Sequence, residues 1–195
     1  MRRFKPTAHI IWGSKASILV GDFLFCQSFR LMVASKSIKA MQSLSQALAM
    51  ISEGEVAQLS KLNQRRIITK AEYHEIIMAK TAELFGASCE VGAIIAGQSD
   101  KICEIIRDFG RNLGSIFQII DDLFDYLGNS NDIGKNIGDD FSEGKVTLPL
   151  IFLYNKLDDR QQFRLEEMIQ SNTRSKDEFE LVRNINRMWL RLQVI

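Results

Sequence analysis

Phe117-Gln118-Ile119-Ile120-Asp121-Asp122-Leu123-Phe124-Asp125 sets three carboxylates and an amide among large apolar side chains. At helical spacing the stretch sorts into two lines. Phe109, Leu113, Phe117, Ile120 and Phe124 form an apolar line, and Gly114, Gln118, Asp121 and Asp125 form the line beside it. Asp121 and Asp125 are one turn apart, roughly 6 Å along the axis, so the spacing predicts that their oxygens point the same way. Two like charges so placed cost stability unless a cation joins them. Mg²⁺ suits such a pair, because it takes oxygen ligands from one or two carboxylates and completes its shell with water and phosphate. A Mg²⁺-diphosphate site is one reading, and a solvated acidic patch on a helix is the other.

Helical spacing extends outward from this stretch in both directions. Pro6 and Pro149 are the only prolines, so the long segment between them lacks the strongest helix breaker. Apolar residues recur at helical intervals from about Ser14 to Ala34, Ser37 to Leu59, Ala71 to Ala96 and Lys101 to Leu127. Thr69-x-x-Glu72 and Ser175-x-x-Glu178 have the spacing of capping boxes. Strand-like alternation is never sustained, and neither a G-x-G-x-x-G nor a G-x-x-x-x-G-K-S/T motif occurs. The expected class is all-α, a single domain over residues 1–195.

Composition narrows the function classes. The 195 residues are 46% hydrophobic and 25% charged with a formal net charge of +1, a balance that gives no reason to expect nucleic acid as a partner. Cys26, Cys89 and Cys103 are odd in number and lack C-x-x-C spacing, so they read as reduced thiols of a cytoplasmic protein. No signal-peptide core follows the basic start. The most apolar run, Ala16 to Phe25, contains Asp22 and reads as too short for a transmembrane segment.

Several basic residues bear on an anion site. The glycine-rich connection from Gly128 to Gly144 follows the acidic helix directly, and loops of that length are often functional. Within it and just beyond, Lys135 and Lys145 each follow a glycine, so backbone can approach a bulky anion while an ammonium reaches it. A flexible polar loop with two surface lysines is the alternative. A calcium loop counted from Asn129 fails, because Ile133 would fall where an oxygen ligand belongs. Lys80 shares a helix face with Ile77 and Leu84, so it either snorkels to solvent or faces a polar cavity. Asp22, on a stripe with Ile18, Phe25 and Phe29, reads as a structural partner for a nearby cation.

Taken in order, these pieces resemble the trans (all-E) polyprenyl diphosphate synthases, most of all the long-chain bacterial type that makes octaprenyl side chains of quinones. They run from Arg2-Arg3-Phe4-Lys5-Pro6 and Gly21-Asp22-Phe23 through Glu53-Gly54-Glu55 and Lys80-Thr81-Ala82-Glu83-Leu84-Phe85. Phe117 to Asp125, Gly134-Lys135-Asn136-Ile137-Gly138-Asp139-Asp140 and Glu143-Gly144-Lys145-Val146-Thr147-Leu148-Pro149 complete the series. The likeness covers about residues 1–150 well and the remainder weakly.

The resemblance implies an isoprenoid-synthase-type helical bundle around a central cavity, in partial form. It implies Mg²⁺ held by Asp121 and Asp125 with Asp122 close by, and an allylic diphosphate contacted by Lys80, Thr81, Gln118, Lys135 and Lys145. Lys80, Gln118 and Lys135 would take the catalytic roles. Arg2 and Arg3 would bind the two diphosphates, and Phe117 would border the hydrocarbon or isopentenyl site. Isopentenyl diphosphate and an allylic diphosphate would be the substrates, and a homodimer the usual assembly. By the same pattern the first aspartate-rich motif and the last helices of the family fall outside residues 1–195. Three readings stay open: a truncated synthase, a non-catalytic remnant or partner subunit of a full-length synthase, and a different diphosphate-dependent terpenoid enzyme.

Overall fold

The computed structural model describes residues 5–128 and 137–192, with side chains as far as Ile185. Helices dominate, and no strand occurs among the described residues. In chain order they are α1 (Ala8–Ala34), α2 (Ile38–Gln64), α3 (Lys70–Ile77), a π-helical turn (Met78–Ala82), α4 (Glu83–Ile95) and α5 (Asp100–Leu127). Four shorter or terminal helices follow: α6 (Asp139–Ser142), α7 (Leu148–Tyr154), α8 (Asp159–Gln170) and α9 (Lys176–Leu192). The all-α class expected from the spacing is what the chain adopts.

Local chemistry sets the boundaries. The Ser37 hydroxyl caps α2 by accepting from the Ala40 N–H at 3.2 Å. Thr69 and Glu72 form the expected reciprocal box, with Glu72 N–H to Thr69 Oγ1 at 3.1 Å and Thr69 N–H to Glu72 Oε2 at 2.8 Å. Ser175 and Glu178 do the same at α9. Asp158 and Gln161 form a third box at α8, one that the sequence reading passed over. Arg183 donates to the carbonyls of Tyr126 and Gly128 at 3.0 and 2.9 Å, satisfying the end of α5 from α9.

The tightest seam joins α4 and α5. A Cβ on Gly110 would stand 2.6 Å from the Phe85 carbonyl oxygen, and one on Gly114 would stand 2.7 Å from the Ala82 Cα. Backbones that close admit no side chain between them. A buried ion network pins the same seam: Glu83, 1% exposed, pairs with both Arg107 and Arg111, and Arg107 also reaches Glu90 at 2.9 Å. Tyr126, Phe141, Leu150, Leu153, Leu165, Ile169, Phe179 and Val182 fill one apolar core between the end of α5 and α6–α9. Ile68, Tyr73, Ile76, Ile77 and Ile151 form a second core between α3 and α7.

Two elements differ from expectation. The loop following α5 is interrupted by α6, because Phe141 is fully buried in the first core and draws its backbone down with it. The apolar run near the start lies in a helix of 27 residues, long and apolar enough by length and composition to cross a membrane. Gly13, at φ 81° and ψ 160°, breaks the helix near its start, and Asp22 and Arg30 lie within its apolar part. Asp22 is exposed, and no ion pair joins it among the described residues. The three cysteines are free thiols.

Two apolar faces remain open to solvent. On α1 these include Trp12, Leu19, Phe23 and Leu31. On α5 they include Phe109, Leu113, Phe117, Ile120 and Phe124, the same line that the sequence placed together.

Candidate functional site

The π-helical turn positions the first cluster. A wider turn inserts a residue and redirects the side chains on it, a device common at functional sites. Here it carries Lys80 and Thr81 into a cleft of about 270 Å³ between α2, α3, α5 and the segment after α6. Gly54 of α2 makes room for it, since a Cβ there would stand 2.8 Å from the Ala79 Cβ and 2.9 Å from the Lys80 nitrogen. Lys80 Nζ lies 2.7 Å from Gln58 Oε1 and 3.1 Å from Glu55 Oε1. The cavity-facing alternative for Lys80 therefore holds.

A continuous hydrogen-bond chain crosses from the π-helical turn to α5. Thr81 Oγ1 donates to Gln118 Oε1 at 2.8 Å, and Gln118 Nε2 donates to Asp122 Oδ1 at 2.8 Å. Tyr73 Oη donates to Asp122 Oδ2 at 2.7 Å from α3. Asp122 is only 3% exposed. Burial pushes its carboxyl up to about 6, opposed by the hydrogen bonds from Tyr73 and Gln118, with Asp140 and Asp121 adding upward pressure. Burial beside that carboxylate raises the Tyr73 phenol above its ordinary value.

The three aspartates of the opening stretch occupy different environments. Asp121 is exposed and lines the cleft; Asp122 lines it from below. Asp125 is 1% exposed and lies outside the cleft lining, where its Oδ2 accepts the Asp140 N–H at 3.1 Å. Asp121 and Asp125 thus differ in exposure, and the Asp140 N–H at the start of α6 bonds the Asp125 carboxylate. Asp140 itself reaches the cleft, where Lys145 Nζ lies 3.3 Å from its Oδ1 and 2.6 Å from Glu143 Oε2. Burial works against the Lys145 charge, but Glu143 and Asp140 outweigh it and hold the ammonium above its ordinary range. Gly144, at φ 79°, sets the backbone turn that delivers Lys145.

The cleft thus unites six of the residues singled out in the sequence: Lys80, Thr81, Gln118, Asp121, Asp122 and Lys145. Phe117 stands on the open face of α5, 55% exposed, with its ring 5.5 Å from that of Phe85. Arg2, Arg3 and Lys135 lie outside the described residues. Sequence reasoning missed Tyr73 and Gln58, and it gave no role to Glu55 or Asp140 although both fall in stretches that carry the resemblance. Tyr73 had a signal, since it precedes Lys80 by seven residues and so shares its helix face.

Among the described residues no three acidic, histidine or cysteine side chains stand together as a metal cage. The donors facing the cleft are carboxylate oxygens flanked by ammonium groups. That set fits a hard cation such as Mg²⁺, which needs one or two carboxylates and completes its shell with water and phosphate oxygens. It does not suit a soft metal.

The profile of the family described as Polyprenyl synthetase matches residues 1–185. The octaprenyl diphosphate synthase of Escherichia coli (strain K12) is 44% identical over 151 residues, which cover 77% of this chain and 46% of that protein. Its counterpart in Haemophilus influenzae is 38% identical over 170 residues, covering 87% of this chain and 51% of that one. Among solved structures, a polyprenyl synthase from Caulobacter crescentus CB15, complexed with calcium and isoprenyl diphosphate, superposes with a TM-score of 0.89 at 45% identity. The match covers 96% of this chain and 57% of that one. A decaprenyl diphosphate synthase from Rhodobacter capsulatus gives a TM-score of 0.85 at 39% identity, with the same two coverages. The chain spans about half the length of the curated relatives it matches. With a family profile covering nearly its whole length and a shared all-helical fold, the chain belongs to the polyprenyl synthetase family.

Proposed function

We propose that this chain forms the allylic-diphosphate side of a trans-polyprenyl diphosphate synthase. Together with the rest of such a protein, it adds isopentenyl diphosphate units to an allylic diphosphate, giving a long-chain all-trans product of the kind used as a quinone side chain. The observation that carries this reading is the cleft in which Lys80, Thr81, Gln118, Asp121, Asp122 and Lys145 converge.

Lys80 and Lys145 face the cleft as ammonium donors for diphosphate oxygens, where negative charge grows as the leaving group departs. Asp121 and Asp122, with Asp125 behind them, are the candidate oxygen ligands for Mg²⁺. When bound, Mg²⁺ supplies neutralising charge for the diphosphate. The allylic C–O bond breaks with its electron pair leaving on the diphosphate. The isopentenyl double bond forms the new C–C bond, and the isopentenyl unit then gives up a proton to the released diphosphate, restoring an alkene. Gln118 and Thr81 line the path beside the reacting end, and Phe117 borders the hydrocarbon. Arg2, Arg3 and Lys135 complete the anion contacts in this reading, whose location is cytoplasmic and whose assembly is a homodimer.

The exposed apolar lines of α1 and α5 favour a second reading, a subunit that works only when paired with a full-length synthase. Mg²⁺-dependent incorporation of labelled isopentenyl diphosphate, with an allylic primer, tests both. Product from a chain extended to the length of its relatives supports the synthase. Product that requires an added full-length synthase, with no gain from extension, supports the partner subunit. No product under either condition overturns both.

A further inference from the structure

We propose that Tyr73 is a positioning residue of this diphosphate site, fixing Asp122 and, through it, the orientations of Gln118 and Thr81. The proposal rests on the synthase reading of the cleft. Tyr73 is 4% exposed, and its ring belongs to the core formed with Ile68, Ile76, Ile77 and Ile151. The ring has little freedom to turn, so its hydroxyl is aimed by packing. It is aimed at Asp122 Oδ2, 2.7 Å away.

Donor and acceptor rules then propagate the constraint. An ionised carboxylate only accepts. With Oδ2 held by Tyr73, Asp122 presents Oδ1 to Gln118, whose amide must turn its NH₂ toward it. The Gln118 carbonyl consequently faces Thr81, and the Thr81 hydroxyl must donate to it. One phenol on α3 therefore fixes the orientation of Asp122, whose acceptor-only carboxylate in turn sets the polarity of Gln118 and Thr81 beside the cleft. Tyr73 and Thr81 lie on one continuous helical run, while Gln118 and Asp122 lie on α5, so the chain of bonds also ties the two helices together at two heights.

A purely structural phenol would satisfy a buried carboxylate and do no more. The two roles separate in binding. Mn²⁺ with inorganic pyrophosphate is the probe, and bound Mn²⁺ is read by electron paramagnetic resonance on the full chain. Tyr73→Phe keeps the ring and its packing while deleting the hydroxyl. Removing a partner of this kind weakens metal binding by about tenfold or more, and that is the loss expected. Tyr154→Phe deletes a phenol that pairs with Glu166 away from the cleft, and it should bind like wild type. Combining Tyr73→Phe with Asp122→Asn should weaken binding little beyond Asp122→Asn alone, because the hydroxyl acts through that carboxylate. Wild-type binding by Tyr73→Phe, or losses that simply add, would overturn the proposal and leave the synthase reading standing. Failure of the wild-type chain to bind the probe at all would overturn that reading itself, and the role of Tyr73 with it.

Discussion

Lys80 Nζ, the ammonium placed to meet a diphosphate, is held 3.1 Å from Glu55 Oε1 on α2. The lysine is therefore paired with a half-exposed carboxylate that an incoming anion would have to displace. Two outcomes follow for pyrophosphate binding measured by calorimetry. Lys80→Ala removes a charged hydrogen bond worth about 1.5–3 kcal/mol, so affinity should fall roughly ten- to hundredfold. Glu55→Gln removes a competitor whose ion pair is worth at most about 1 kcal/mol, so affinity should rise by up to roughly fivefold. An unchanged or weaker affinity in Glu55→Gln would mean that Glu55 does not compete for Lys80.

Asp121 is the carboxylate that combines exposure with a place on the cleft wall beside Lys80 and Gln118. In a polypeptide extended to the length of its relatives, Asp121→Ala should lower turnover by about a hundredfold or more, as expected for loss of one group acting on transition-state charge. Helical content by circular dichroism should stay at the wild-type level. Equal turnover in the two proteins would remove Asp121 from the mechanism.

Much of this arrangement was legible in the residues, and the reasons differ for what was not. Capping boxes depend on local spacing alone, so Thr69 with Glu72 and Ser175 with Glu178 could be read directly. The helix expected over 101–127 runs from Asp100 to Leu127 because its apolar line is strict. Burial along that helix depends on what packs against it. The wheel places Asp121 and Asp125 on one line, but Asp125 is buried and bonded by the Asp140 N–H of α6 while Asp121 is exposed, and no pattern within α5 encodes that. The π-helical turn at Met78–Ala82 is equally silent in the sequence, since nothing local distinguishes an i→i+5 turn from an ordinary one. Tyr73 went unnoticed because its partner lies 49 residues away.

Acid should loosen the α4–α5 seam. Burial pushes the Glu83 carboxyl up, but hydrogen bonds from Arg111 and Arg107 and their charges outweigh it, leaving the folded-state pKa below the ordinary value of 4.5. A depressed folded pKa means that Glu83 contributes in full above about 4.5 and that its contribution is lost as pH falls through the lower folded value. Thermal melts from pH 6 downward should therefore show a declining midpoint below about pH 4.5. Glu83→Gln leaves Arg107 paired with Glu90 and Arg111 with Asp108, so it should cost about 1.5–3 kcal/mol, while flattening that decline. A variant with the wild-type acid dependence would show that other carboxylates govern it.

The open apolar lines make a claim about the isolated chain. Along α5, Phe109 is 61% exposed, Phe117 55% and Phe124 47%, and Trp12, Leu19 and Leu31 of α1 are each at least 68% exposed. Burying an aliphatic or aromatic side chain is worth about 1.5–3 kcal/mol, so covering even a few of these outweighs a modest association cost. The chain alone should self-associate at micromolar concentration, as read by light scattering. Introducing charge into the α5 line with Phe109→Asp and Phe124→Asp should shift the distribution toward smaller species if that line takes part. The same pair of changes leaves the α1 face intact, so an unaltered distribution would assign association to α1. A monodisperse monomer from the unaltered chain would mean that neither face drives association, and would remove the physical ground for a partner subunit docking there.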